Sequence, residues 1–301
     1  MARIGPITPD DLPRACAFWH QHLNSDLSEA QWRAALAPHW LRDAPNHGFM
    51  LEDNGEIVGA LGAIHHQRRV EGQLRSFCNV TSWRVLESHA PMSLGLLKAA
   101  LAQPDATIIG TTPSPLVEKI YRLLKLTCVA PSVIVLPHLP LLKAHNPSKS
   151  GLLKLFKRNE HGGWVERDAA MLDQLMPEAE RDAYRDHRDY PWLRHALLGG
   201  GVGNWCYVIY KRRVWKRLPS AEILYISDPL RFLRYRNAWA RHLLWREGIA
   251  TSHIESRFLP ATPAFTLQRE LGGTPAGLRL QEGVTEAQCS YLYTERMTLD
   301  L

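Results

Sequence analysis

SFCNVTSWRVLESHAPMSLGLLKAAL, residues 76–101, changes its periodicity part-way along. From Phe77 to Val85 it is rich in β-branched and aromatic residues, which suit a strand. From Ser93 onward, Leu94, Leu96, Leu97, Ala100 and Leu101 recur at helical spacing. Between them lies a short stretch, Leu86 to Met92, in which Pro91 suits a first helical turn that needs no backbone N–H there. A strand that breaks into a tight turn and opens a helix leaves amide N–H groups at the positive end of the helix dipole, a geometry that receives phosphate.

The 301 residues exceed one typical domain, so one large or two medium domains are expected. A composition of 45% apolar and 22% charged residues excludes a mostly disordered chain. No run approaches the ~18 apolar residues of a membrane helix, so no membrane insertion is expected. The opening MARIGPITPDDLPRA lacks the basic-then-apolar pattern of a signal peptide. The five cysteines are widely spaced, with no CxxC pair. They read as reduced, mostly buried thiols of a cytoplasmic protein, with no metal site and no disulfide framework. The net charge of +6 is modest: residues 1–150 carry 14 basic and 12 acidic side chains, the remainder 22 and 18. The densest basic patch, Lys211 to Arg217, reads as a solvated hairpin turn; its other reading, a contact for an anionic partner such as nucleic acid, is not the expected one. The sequence holds no HExxH, no GxSxG and no phosphate loop ending in Gly-Lys-Ser/Thr.

Upstream, helices are expected from about Leu12, capped by Thr8 or Asp10, and over Ser28 to Leu41, capped by Ser28 and burying Trp40. GFMLEDNGEIVGALGAI, residues 48–64, is a hairpin signal, with Asn54-Gly55 between two apolar runs. His65 and His66 should face opposite ways on that strand. Downstream, Ala106 to Thr112 reads as a buried strand, Pro115 to Leu124 as a helix capped by Ser114, and Cys128 to Leu136 as another strand.

Together these pieces resemble the GNAT superfamily of acyl-CoA N-acyltransferases. The resemblance rests on the strand ending Trp83-Arg84-Val85, the turn, the Leu-rich helix and the hairpin before them. It implies that Trp83, Arg84 and Val85 pair with the pantetheine arm of acetyl-CoA or another acyl-CoA. The turn would then cradle the pyrophosphate. The family's Q/R-x-x-G-x-G/A falls on Ala90 to Gly95, which names Ala90, Met92, Ser93, Leu94 and Gly95 as cofactor-binding. Gly95 fits, Ser93 is a small substitute, and Ala90 departs by removing a long polar side chain. The family's Asn-x-x-Ala-x-x-x-Tyr resembles Ser114 to Tyr121, so Ser114 joins the cofactor set. The resemblance implies that Tyr121 protonates the leaving thiolate, a role a phenol near pKa 10 can fill for a thiol near 8.5. Glu52, His65 and Glu87 are nearby titratable groups, and spacing singles out none of them as a base.

The second half repeats the order hairpin, strand, long helix, strand, as a degenerate copy would. Its expected elements are a helix over Ala169 to Tyr184, a short helix over Trp192 to Leu198, strands at Trp205, Ala221 and Ala250, a helix over Leu230 to Glu247, and a closing strand from Tyr291 to Leu299. The turn after Ser227 carries Asp228 and no glycine, so no cofactor is expected there. The fold class expected is therefore α/β (α+β), with mixed, mostly antiparallel sheets flanked by helices in two GNAT-like domains. Their bounds are read as 1–145 and 164–301, joined by a linker at 146–163. The function implied by the resemblance is transfer of an acyl group, most simply acetyl, to an amine borne on a small molecule or a polymer. The alternative is a catalytically inactive GNAT fold that binds a ligand or partner. The sequence names neither the acceptor nor an oligomeric state.

Overall fold

A computed structural model describes residues 2–41, 43–129, 132–138, 163–200, 203–270 and 276–300. The chain forms two compact units, Met1–Pro131 with Gly272–Leu301, and Ser132–Leu271. These bounds differ from the 1–145 and 164–301 of the sequence reading. The expected linker lies outside the described residues apart from Gly163.

The first unit opens with β1 (Arg3–Pro6), α1 (Leu12–His22), α2 (Glu29–Leu36), β2 (Gly48–Asp53), β3 (Glu56–Val70) and β4 (Gln73–Val85). Asn54 and Gly55 turn the β2–β3 hairpin at φ 51° and 85°, as the Asn-Gly signal requires. Ser28 caps α2 in a reciprocal capping box with Gln31. That helix stops at Leu36 instead of Leu41, because Pro38 cannot continue it. At α1 the cap position falls to Asp11, and the Thr8 and Asp11 side chains bond each other at 2.6 Å. A 3₁₀ turn, Glu87–Met92, leads from β4 into α3 (Ser93–Leu101), followed by β5 (Ala106–Gly110), α4 (Pro115–Leu123) and β6 (Thr127–Val129).

The second unit runs β7 (Ser132–Pro137), β8 (Trp164–Glu166), α5 (Ala169–Leu175), α6 (Arg181–His187), β9 (Leu193–Gly199), β10 (Trp205–Trp215), β11 (Leu218–Ile226), α7 (Pro229–Glu247), β12 (Thr251–Glu255) and β13 (Leu267–Glu270). The chain then returns to the first unit as β14 (Ala276–Arg279) and α8 (Glu295–Thr298). Four local expectations are corrected here. Cys128 to Leu136 is not one strand but β6 and β7, which belong to different sheets. The helix expected over 169–184 is interrupted at Pro177, whose 3₁₀ turn separates α5 from α6. Trp192 to Leu198 is strand and not helix, because β8 and β10 supply a hydrogen-bonding ladder on both sides. Tyr291 to Leu299 is a turn and the single-turn α8, not a strand.

Each unit is built on a seven-stranded sheet. The first has the order β1-β2-β3-β4-β5-β14-β6 and the second β13-β7-β12-β11-β10-β9-β8. Pairing is antiparallel except for one parallel pair in each, β4–β5 and β11–β12. In both sheets a bulge disturbs the ladder on the strand that enters the parallel pair, opposite Leu61 in β3 and near Ile209/Tyr210 in β10. The mixed, mostly antiparallel architecture with flanking helices is the one expected.

Strand parity sorts the core of the first unit. Leu61 and Ala63 of β3, Cys78 and Val80 of β4 and Ile108 of β5 face α3 and α4, packing on Leu96, Leu97 and Tyr121. Ala60 and Ile64 of β3 face α1 and α2, with Trp19, Trp32 and the C-terminal Leu299. Phe77 and Ile109 share a cluster with Leu278, Val284 and Cys289 of the returning segment.

Candidate functional site

The parallel pair β4–β5 is short. Its register runs from Ser76↔Ala106 to Asn79↔Ile109 and stops there. β4 continues to Val85, paired with β3 on one side and, among the described residues, with no strand on the other. Six residues, Val80 to Val85, thus leave an open edge about 20 Å long at the usual rise per residue. Unpaired backbone N–H and C=O groups on such an edge can bond an extended ligand. The bulge lies within this stretch: Arg84 pairs with Ala60 and Thr81 with Gly62, so Ser82 and Trp83 oppose Leu61 alone. Ser82 takes φ 55°, a left-handed conformation rare for a side chain-bearing residue. The indole Nε1 of Trp19 donates to Ser82 O at 2.6 Å and fixes it.

Of the predicted site residues, Trp83, Arg84 and Val85 lie on this edge, and the turn and α3 follow it in the chain. Trp83 is half-buried against the α3/α4 core, with its indole N–H shielded and without a hydrogen-bond partner among the described residues. Arg84 is exposed, and Val85 packs on Gly59, its partner on β3. Ala90 and Met92 lie exposed in the 3₁₀ turn, Ser93 and Leu94 half-buried at the start of α3. Among the described residues no side chain caps α3; the 3₁₀ turn runs directly into it, and Ser93 N donates to Ala90 O. His89 in the turn bonds Asp53 at 3.3 Å, which holds the Asp53 carboxyl below the usual range. Gly95 has a packing reason of its own: a Cβ there would run into the side chain of Ile4.

Ser114 caps α4, its Oγ accepting from Val117 N at 3.3 Å. That helix brings Tyr121 beneath the sheet where the strands part. The tyrosine ring lies on Gly110 of β5 and Gly277 of β14, which are cross-strand partners, and a Cβ on either would overlap it. Its hydroxyl is against Gly110, one residue past the last β4–β5 pair. Burial, and secondarily the nearby Glu295 carboxylate, push the phenol well above its ordinary pKa, so Tyr121 holds its proton at neutral pH.

The three candidate bases named from sequence are placed apart. Glu52 is engaged by Arg3 at 3.2 Å and Arg14 at 3.3 Å, and Glu87 is exposed. His65 faces Cys78, while His66 stacks on Phe77, so the two rings do point to opposite faces. Burial lowers His65 to about 4 and pushes the Cys78 thiol up to about 12, so Cys78 is no thiolate nucleophile near neutral pH. Sequence reading missed Gly110, Gly277 and Glu295, two of which sit on the returning segment. None carries a local signal, since each acquires its place only when β14 enters the sheet. Among the described residues no cluster suits a metal ion, and no helix is long and apolar enough to cross a membrane.

Comparison by sequence finds no matching family model and no matching curated protein. Comparison by structure does find proteins of similar fold. A GCN5-related N-acetyltransferase from Anabaena variabilis superposes with a TM-score of 0.60 at 11% identity, over 93% of this chain and 72% of that one. A probable N-acyltransferase from Enterococcus faecalis gives 0.57 at 11% identity, over 92% and 72%. A GCN5-related N-acetyltransferase from Kribbella flavida gives 0.54 at 13% identity, over 93% and 71%. At such identities the likeness is one of fold, and the chain has a GNAT-like fold.

Proposed function

We propose that this protein transfers an acyl group, most simply acetyl, from acyl-CoA to an amine. One observation carries the reading: β4 and β5 part after Asn79 and Ile109, leaving a bulged, unpaired strand edge beside a proton-bearing tyrosine. In this reading the pantetheine arm adds to the edge Trp83–Val85, and its diphosphate lies at the turn from Ala90 to Gly95, against the uncapped start of α3. Ser114 stands at the start of α4 and contributes through the helix it caps.

The chemistry needs no covalent enzyme intermediate, since holding amine and thioester together supplies much of the rate. The amine nitrogen bonds to the thioester carbon and gives up its surplus proton to water, the C–S bond breaks, and the thiolate takes the Tyr121 hydroxyl proton, which water restores. Neighbours of the same fold bear acetyltransferase and acyltransferase names, which supports the reaction class.

The test is calorimetry with acetyl-CoA, coenzyme A and longer acyl-CoAs, together with thiol release over a panel of amines. Micromolar binding with amine-dependent thiol release supports the proposal, and no binding at millimolar ligand overturns it. One observation favours a second reading, a binding module without transfer. The segment Glu87–Met92 is wound into a 3₁₀ turn, and Ala90 brings no long polar side chain to it. That reading predicts binding with no thiol release toward any amine.

A further inference from the structure

Glu295 opens α8 on the segment that returns to the first unit, and it is 1% exposed. Its backbone N–H donates to Asn79 Oδ1 at 2.9 Å, and Asn79 Nδ2 donates to Ile109 O at 3.1 Å. Asn79 and Ile109 are the last pair before β4 and β5 separate, so Glu295 is tied to the fork itself. Its Oε1 accepts from the hydroxyls of Thr111 and Thr112, the latter at 3.0 Å. Its Oε2 is shielded from solvent and has no hydrogen-bond partner among the described residues. A buried carboxylate oxygen left without a donor is destabilising, and proteins keep such groups where they do chemistry.

The two faces of the fork are now distinct. Tyr121 belongs to the α3/α4 face with Cys78, Val80 and Ile108. By strand parity, Asn79 and Thr111, which hold Glu295, share the opposite face with Phe77 and Ile109. A proton donor and a buried carboxylate thus lie on opposite faces of the sheet where β4 and β5 part.

We propose that Glu295 accepts the proton of the attacking amine. The inference rests on the acyl-transfer reading and supplies the base that reading lacks. The amine reaches the thioester from the Glu295 face, and its N–H proton passes to Oε2 as the C–N bond forms. The thiolate leaves on the Tyr121 face and takes the phenolic proton. Amide and free thiol result, with Glu295 protonated and Tyr121 ionised, and proton exchange with water restores both. Burial is the larger influence and raises the proton affinity of Glu295 above that of an ordinary carboxyl, while the hydroxyl bonds from Thr111 and Thr112 oppose it. The titratable group bearing on it from a neighbouring element is Tyr121 of α4; Asn79, Thr111 and Thr112 are neutral.

The test follows acyl-CoA binding by calorimetry and thiol release from pH 5 to 9 in the parent, Glu295→Gln and Thr111→Val. Glu295→Gln is expected to bind acyl-CoA within about threefold of the parent. It should lose turnover by about 100-fold or more, the contribution of a positioned base, and with it the acidic limb of the pH profile. Thr111→Val removes a bond that favours the carboxylate, so its acidic limb should move to higher pH. A parent that binds acyl-CoA and releases thiol, with Glu295→Gln matching it in turnover and pH profile, overturns the inference and leaves acyl transfer standing. A parent that neither binds nor turns over overturns both. Should Glu295→Gln fail to fold by circular dichroism, the Thr111→Val profile decides, and an unmoved limb overturns the assignment.

Discussion

His138 lies in the core of the second unit, 1% exposed. Its Nδ1 is 2.8 Å from Ile249 O, a carbonyl that can only accept, so that nitrogen carries the proton. Its Nε2 then accepts from Ser252 Oγ at 2.8 Å, and Ser252 in turn accepts from Trp239 Nε1 at 2.9 Å. Burial lowers the ring to about 4. The unfolded chain therefore takes up a proton near pH 6.5 that the folded chain refuses until about pH 4. Stability from this group is present above 6.5 and lost as pH falls toward 4, by about 2 kcal/mol between pH 7 and 5. Glu180, raised by burial to about 7, acts in the opposite sense, so the comparison must be between variants. His138→Asn keeps a donor toward Ile249 O but has no proton to gain. Urea midpoints at pH 7 and 5 should fall with acid less in this variant than in the parent, and equal slopes would refute the assignment. Tyr121 gives the residue-scale test of the reaction. Tyr121→Phe keeps the ring on its glycine seat and deletes the proton, so turnover should drop about 100-fold or more while acyl-CoA affinity in calorimetry stays near that of the parent. Parent-rate turnover would remove Tyr121 from the mechanism. At this scale the sequence showed residue types but not surroundings: Tyr121 stood out by its motif spacing, whereas nothing near Thr294-Glu295 distinguishes a buried base from a surface carboxylate.

The packing of α4 on the sheet depends on two glycines that face each other across strands, Gly110 and Gly277. The Tyr121 ring occupies the space that a Cβ on either would need. Gly277→Ala should therefore lower stability by about 1–3 kcal/mol through overpacking, read as a fall in the denaturant midpoint. Combined with Tyr121→Ala, which opens the same space, the loss should be smaller than the sum of the two single effects. Additive losses would mean that the ring does not rest on Gly277. Ser114→Ala tests the start of the same helix, and losing its bond to Val117 N should destabilise by about 1 kcal/mol. Elements whose signals are local were legible in this sequence: the Asn54-Gly55 hairpin, the Ser28 and Ser114 caps, and the passage from β4 into α3. Elements decided by neighbours were not. Leu193–Gly199 has the Leu, Ala and His of a helix and becomes strand because ladders await it on both sides. Ala276–Arg279 is too short to show alternation, yet it joins β5 to β6.

At the scale of the chain, each unit has the same device, a parallel pair that parts beside a bulged strand, and this repetition of order was visible from sequence. The routing was not. The chain leaves the first unit near Pro131 and comes back at Gly272 to place β14 between β5 and β6. Only long-range pairing reveals this, because β14 lies some 170 residues from its partners on β5 and its own composition gives no address. The return also completes the core: Leu278, Val284, Cys289, Met297 and Leu299 are all buried in the first unit. Full burial of a Leu, Val or Met side chain is worth about 1.5–3 kcal/mol, so losing these four, before Cys289 is counted, is comparable to the roughly 5–15 kcal/mol that stabilises a typical domain. A fragment ending at residue 145 would lack them, leave β5 and β6 without the strand that joins them, and carry no Glu295. It should be insoluble or lack a cooperative thermal transition, although it contains every residue of the acyl-CoA motif. Residues 1–131 fused through a flexible linker to 272–301 restore β14 and the buried tail, and should melt cooperatively. A fragment of residues 1–145 that melts as sharply as this fusion would show that the returning segment is dispensable, and with it the fork-anchored place of Glu295.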